Sequence, residues 1–126
     1  MKTGEIFIWE TKKAKGHDLR SKYHIFICPV DWQEGNTFLF ICSDNYFGDF
    51  KITQEDWVKM PKPESFISLR SPAFYTDEEL AEYTISHVGR LTIACMKKLA
   101  RHVQDSETLE RRYIKRISDA LHAACR

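Results

Sequence analysis

YHIFICPVDWQEGNTFLFIC, Tyr23–Cys42, decides how this chain folds. Its two apolar runs, YHIFIC (Tyr23–Cys28) and TFLFIC (Thr37–Cys42), are rich in Ile and Phe, and a polar Gly-Asn segment separates them. β-Branched and aromatic side chains suit a pleated, half-buried surface, so each run predicts a strand. WQEGN (Trp32–Asn36) then supplies the hairpin connection, and Pro29 is expected to end the first of the two strands.

Working outward, EIFIW (Glu5–Trp9) predicts a strand before this hairpin and SFISL (Ser65–Leu69) one after it. The prolines of MPKPE (Met60–Glu64) forbid a central strand at that point, because proline cannot donate to a ladder. Short apolar runs this close together predict a small, strongly curved antiparallel sheet or barrel. Helical signals follow. TQED (Thr53–Asp56) resembles a capping box and predicts a short helix through Trp57 and Val58. TDEELAEY (Thr76–Tyr83) sets Thr76 and Glu79 at capping-box spacing, with acids in the first turn. From Gly89 onward, Leu91, Cys95 and Leu99 share one helical face. After a break at QDSE, Leu109, Tyr113, Ile117 and Leu121 repeat the spacing. Strands followed by helices predict an α+β chain. Its regular last stripe must be covered, by the chain itself or by a second copy.

With 126 residues, 43% hydrophobic and 13% aromatic, one domain with a real core is expected. No apolar span of about twenty residues suggests a membrane helix, and the first residues lack a signal-peptide core, so the expected address is cytoplasmic. Cys28, Cys42, Cys95 and Cys125 lie far apart without a CxxC pair, and they read as free thiols rather than disulfides or zinc ligands. The net charge of +1 hides a division: residues 1–22 carry six Lys/Arg against three Asp/Glu, residues 23–87 four against eleven, and residues 88–126 nine against four. That pattern excludes a uniformly basic nucleic-acid coat but allows a local basic patch where the two ends meet.

GEIFIWE (Gly4–Glu10) followed by KGHDLRSKYHIFIC (Lys15–Cys28) resembles the opening of the PemK/MazF family of toxin–antitoxin ribonucleases. FLFICSD, ESFISLRSPAFYT and HVGRLTIACMKKL resemble later pieces of that family in the same order, and together they span about Gly4 to Leu99. The resemblance implies an SH3-like small β-barrel with C-terminal helices over residues 1–126, with residues 106–126 a helical extension. It also implies a homodimer, an antitoxin-like protein partner, and metal-independent cleavage of single-stranded RNA with no cofactor. Such cleavage needs a base for the ribose 2′-hydroxyl, cations on the phosphate and an acid for the leaving oxygen.

Carried across residue by residue, Gly16-His17 matches the family's loop, and His17 becomes the expected proton-transfer residue. Tyr23 and His24 stand where the family has Arg-Pro, so Lys15, Arg20 and Lys22 are the expected phosphate-binding cations. Cys42 stands at the family's Thr, leaving Ser43 as the expected hydroxyl donor. Ser68 and Arg70 stand at an Arg and an Asp. Arg70 cannot accept a proton, but it can hold a phosphate. Tyr46, Phe47 and Asn45 in SDNYFGDF (Ser43–Phe50) either stack on and read unpaired bases or plug the end of a barrel. Read without the resemblance, His17 is an exposed loop residue, His24 a packed strand histidine and Cys42 a small buried residue. Arg111, Arg112, Lys115 and Arg116 are then a solvated helix face. The alternative function is a non-catalytic interaction module, of a mobile-element or regulatory setting, that binds a protein segment.

Overall fold

A computed structural model describes residues 1–13, 19–30 and 35–126. Lys15, Gly16 and His17 of the basic loop, and Trp32–Glu34 of the hairpin connection, lie outside the described residues. The strands are β1 (Glu5–Thr11), β2 (Arg20–Val30), β3 (Gly35–Cys42), β4 (Phe50–Thr53), β5 (Glu64–Ile67), β6 (Ala73–Thr76) and β7 (Ser86–Arg90). The helices are α1 (Asp77–Ala81), α2 (Ile93–Gln104) and α3 (Arg111–Ala124).

All described pairings are antiparallel, in the order β4-β5-β3-β2-β1-β7. β3 uses one edge twice: Ile41 and Cys42 pair with β5, whereas Gly35–Phe38 pair with β6. The result is a curled antiparallel half-barrel sheet carrying C-terminal helices, a mixed α+β architecture.

Alternation along the strands makes both faces apolar. On one face the register lines up Ile6, Ile25 and Leu39, and beside them Ile8, Tyr23, Ile41 and Ile67. Cys95, Met96, Leu99 and Val103 of α2 and Ile117 and Leu121 of α3 bury this aliphatic face. The stripe on the last helix is therefore filled within the chain. The other face is aromatic. Phe7, Trp9, Phe26, Phe38, Phe40 and Tyr75 cluster there, joined by Leu80, Tyr83 and Ile85 from α1 and the segment after it.

Several expectations are corrected. β2 does not stop at Pro29 but runs to Val30, opposite Gly35. β1 pairs with β2 only as far as Ile25, so proline's missing N–H falls beyond the β1 ladder and costs no bond to it. TQED caps a turn, not a helix: the Asp56 carboxylate accepts the Thr53 N–H at 2.9 Å and Trp57 N–H reaches Thr53 O at 3.2 Å. The chain then buries Trp57 and meets Pro61, and no helix propagates. α2 begins at Ile93, not near Gly89, because the Thr92 hydroxyl accepts the Cys95 N–H at 3.1 Å and fixes the cap. Ser86–Arg90 instead forms β7. The capping box at Thr76 and Glu79 is present as expected.

Candidate nucleic-acid interface

The Ser43–Asp49 segment leaves β3 and crosses to β4, and its own polar groups hold its shape. The Asp49 carboxylate accepts the Tyr46 N–H at 3.3 Å and, through its other oxygen, the Leu69 N–H at 3.2 Å. Asp49 N–H donates to Tyr46 O at 3.0 Å. From the helical side, His102 of α2 donates its Nε2–H to Gly48 O at 2.9 Å. Gly48 has φ +88°, and a Cβ there would sit 2.5 Å from the Thr108 hydroxyl, so the turn between α2 and α3 packs directly against this loop. Thr108 also donates to Leu69 O at 3.3 Å. The C-terminal helices thus buttress the loop. On it, Phe47 stands 78% exposed. The pinned loop thus presents a large apolar ring to solvent.

Cations surround this loop. Arg70 lies with its guanidinium carbon 3.8 Å above the Tyr46 ring centre, and its Nε is buried without a partner among the described residues. The contact with the Tyr46 ring holds the guanidinium in place, and a planar guanidinium carries further N–H groups with which it can hold an oxyanion. Lys62 donates its ammonium to the Ser43 hydroxyl at 2.5 Å. Pro61 and Pro63 flank Lys62 and restrict the backbone that presents it. Sequence reading took these prolines only as strand breakers and missed the lysine between them. Lys22 on β2 reaches the Cys42 sulfur at 3.6 Å and lies 5.8 Å from the Phe40 ring centre. Arg20, two residues earlier, starts β2 opposite Thr11 and shares the Lys22 face.

Of the expected site residues, Ser43, Tyr46 and Arg70 therefore meet around one loop, with Lys62 added. Lys22 is at the β2 position level with the end of β3, beside Cys42. Arg70 follows β5, and β3 lies between β5 and β2, a separation of roughly two strand spacings, ~10 Å. His17 and Lys15 fall outside the described residues. Tyr23 turns away from Lys22, onto the aliphatic face, and meets Trp57 edge-on at 5.2 Å.

His24 is fully buried on the aromatic face, stacked on Trp9 at 3.5 Å between ring centres. Its tautomer follows from its partners. The Lys22 carbonyl, 2.9 Å from Nδ1, can only accept, so Nδ1 carries the proton. Nε2 then accepts the Tyr75 hydroxyl at 3.0 Å, and Tyr75 in turn accepts from Thr11 at 2.7 Å. Thr11 closes the chain by accepting the Lys13 N–H at 3.1 Å. Burial is the largest cause holding the His24 pKa down, at about 3, and the Lys22 charge adds to it, while the bond to the Lys22 backbone opposes both. Burial likewise pushes the Tyr75 phenol up to about 12. Both groups stay neutral at physiological pH and act as structure, not as proton carriers. The buried Cys95 thiol, also raised to about 12 by burial, is inert for the same reason.

Among the described residues no group of His, Cys, Asp or Glu is arranged to hold a metal ion, and no helix is long and apolar enough to cross a membrane. No protein-family model matches the chain, and no curated protein matches it.

Proposed function

We propose that this chain is a PemK/MazF-like, SH3-like barrel protein that binds single-stranded RNA across the Ser43–Asp49 loop. Phe47 stacks on an unpaired base, Arg70 and Lys62 hold phosphates on either side, and Lys22 and Arg20 extend the cationic path. The observation that carries this reading is Phe47, exposed on a loop anchored by Asp49, His102 and Thr108, with the Arg70 guanidinium on Tyr46 and the Lys62 ammonium on Ser43 of the same loop. Base stacking on an aromatic ring needs no sequence match, and cations on the backbone supply affinity that falls with salt.

Binding rests on the loop and its cations. Cleavage without metal rests on His17 as base or acid, since Arg70 occupies the position of the expected carboxylate and His24 is held neutral in the interior. The test is fluorescence anisotropy of a labelled single-stranded RNA in EDTA, at several salt concentrations. Phe47→Ala is expected to weaken binding by ~1–3 kcal/mol. Lys62→Ala should lower the salt slope by about one unit. RNA affinity indifferent to both changes refutes the interface. Intact RNA at enzyme excess, or equal cleavage by His17→Ala, refutes the catalytic role while leaving binding in place.

A further inference from the structure

A second surface lies beside β7, where a groove of about 890 Å³ separates that strand from the Trp57–Pro61 turn. Its floor is aromatic: Trp57 is 2% exposed and Tyr23 packs against it edge-on. The indole N–H is already used, donating to Val88 O at 3.3 Å. A Cβ at Gly89 would overlap that indole nitrogen, so strand and ring are in direct contact. The floor therefore has no unspent indole donor and favours apolar groups.

The rims are apolar too. Val58 is 76% exposed on the turn and Ile93 52% exposed at the start of α2. A small molecule on the floor would leave both rims in water, whereas a polypeptide crossing the groove covers floor and rims together. Trp57 already donates to the Val88 carbonyl, which disfavours a regular strand added there. The apolar floor and rims favour an occupant that engages through side chains. Charge selects among such occupants: the lining includes Lys59 and Arg90 and no carboxylate. A second copy of this chain, docking groove to groove about a two-fold axis, would bring these cations against their own copies, and like charges in juxtaposition are unfavourable.

We infer that this groove is a docking surface for a segment of a second protein whose apolar side chains alternate with carboxylates. The leucine-like groups fill the channel over Trp57 and contact Val58 and Ile93, and the carboxylates pair with Lys59 and Arg90. The surface is distinct from the Phe47 loop, so the inference holds or fails whether or not the chain binds RNA.

Three fluorescein-labelled peptides test it on the full chain. They share alternating leucines and differ only in the intervening residue: glutamate, serine or lysine. The glutamate peptide is expected to bind about tenfold tighter than the serine peptide, and the lysine peptide weakest. Val58→Asp with Ile93→Asp should abolish binding, while Lys59→Glu with Arg90→Glu should invert the order in favour of lysine. All four positions are exposed, and unchanged thermal melts by circular dichroism confirm that each variant folds. Equal binding of the three peptides, or an order that survives charge reversal, overturns the inference. A doubled mass by light scattering that Val58→Asp abolishes also overturns it, by assigning the groove to a second copy.

Discussion

Between pH 7 and pH 5, acid should weaken this protein chiefly through His24. Its imidazole is fully buried, it stacks on Trp9, and its two nitrogens are committed to the Lys22 carbonyl and the Tyr75 hydroxyl. An extra proton would turn Nε2 into a donor facing a hydroxyl that already donates to it. The folded pKa is accordingly about 3, against 6.5 for an unperturbed histidine. A depressed folded pKa means that the unfolded chain binds the proton first. The neutral-histidine contribution is thus complete above pH 6.5 and is lost progressively as pH falls toward 3. Each pH unit inside that window costs about 1.4 kcal/mol, so the loss between pH 7 and pH 5 is about 2 kcal/mol. That is a large part of the stability of an ordinary domain. Urea unfolding followed by tryptophan fluorescence, at both pH values, measures it on the wild type and on His24→Gln. Glu79, whose pKa is lowered chiefly by its bond to the Thr76 backbone, also destabilises at low pH, but it is present in both proteins and cancels. Wild type should lose about 2 kcal/mol more than the variant over this range. Equal losses, or an imidazole NMR signal from His24 titrating near its unperturbed value, would refute the reasoning.

Other perturbations read other parts of the structure. Tyr75→Phe removes the hydroxyl that joins His24 to Thr11 and leaves both without that partner, an expected loss of ~1–3 kcal/mol in chemical denaturation. Gly48→Ala sets a Cβ against Thr108 at φ +88°, for an expected ~1–3 kcal/mol of strain and a weaker RNA complex by anisotropy. Undiminished affinity would show that the loop's shape is irrelevant to binding. Leu121→Ala empties a fully buried site between the last helix and the sheet, with an expected loss of ~2–5 kcal/mol by thermal melting.

The sheet was legible in the sequence where side chains alternate and the core lies on both sides. Glu5–Trp9, Tyr23–Cys28 and Thr37–Cys42 all announce strands, and Leu99, Ile117 and Leu121 all announce buried helix faces. β7 was illegible, because Ser86–Arg90 has no apolar alternation and owes its conformation to β1, far away in the chain. The periodicity of α2 also runs backward past its true start, which only the Thr92 cap defines. At the candidate site, the charge of Arg70 was evident but its seat on Tyr46 was not. That contact depends on Asp49 bridging two segments distant in sequence. The Val58 and Ile93 rims escaped for a related reason: neither is unusual until Trp57 and β7 place them across one groove.

A sheet that is greasy on both sides has a consequence for biosynthesis. The N-terminal hairpins leave the ribosome first, with aliphatic residues on one side and aromatic ones on the other, while the segments that cover them are still being translated. α1 comes in time to shield the aromatic side, but the aliphatic side waits for the last helix. Chaperone demand should therefore last until α2 and α3 have emerged, and a stop codon ahead of α2 should yield an insoluble fragment, not a smaller working protein.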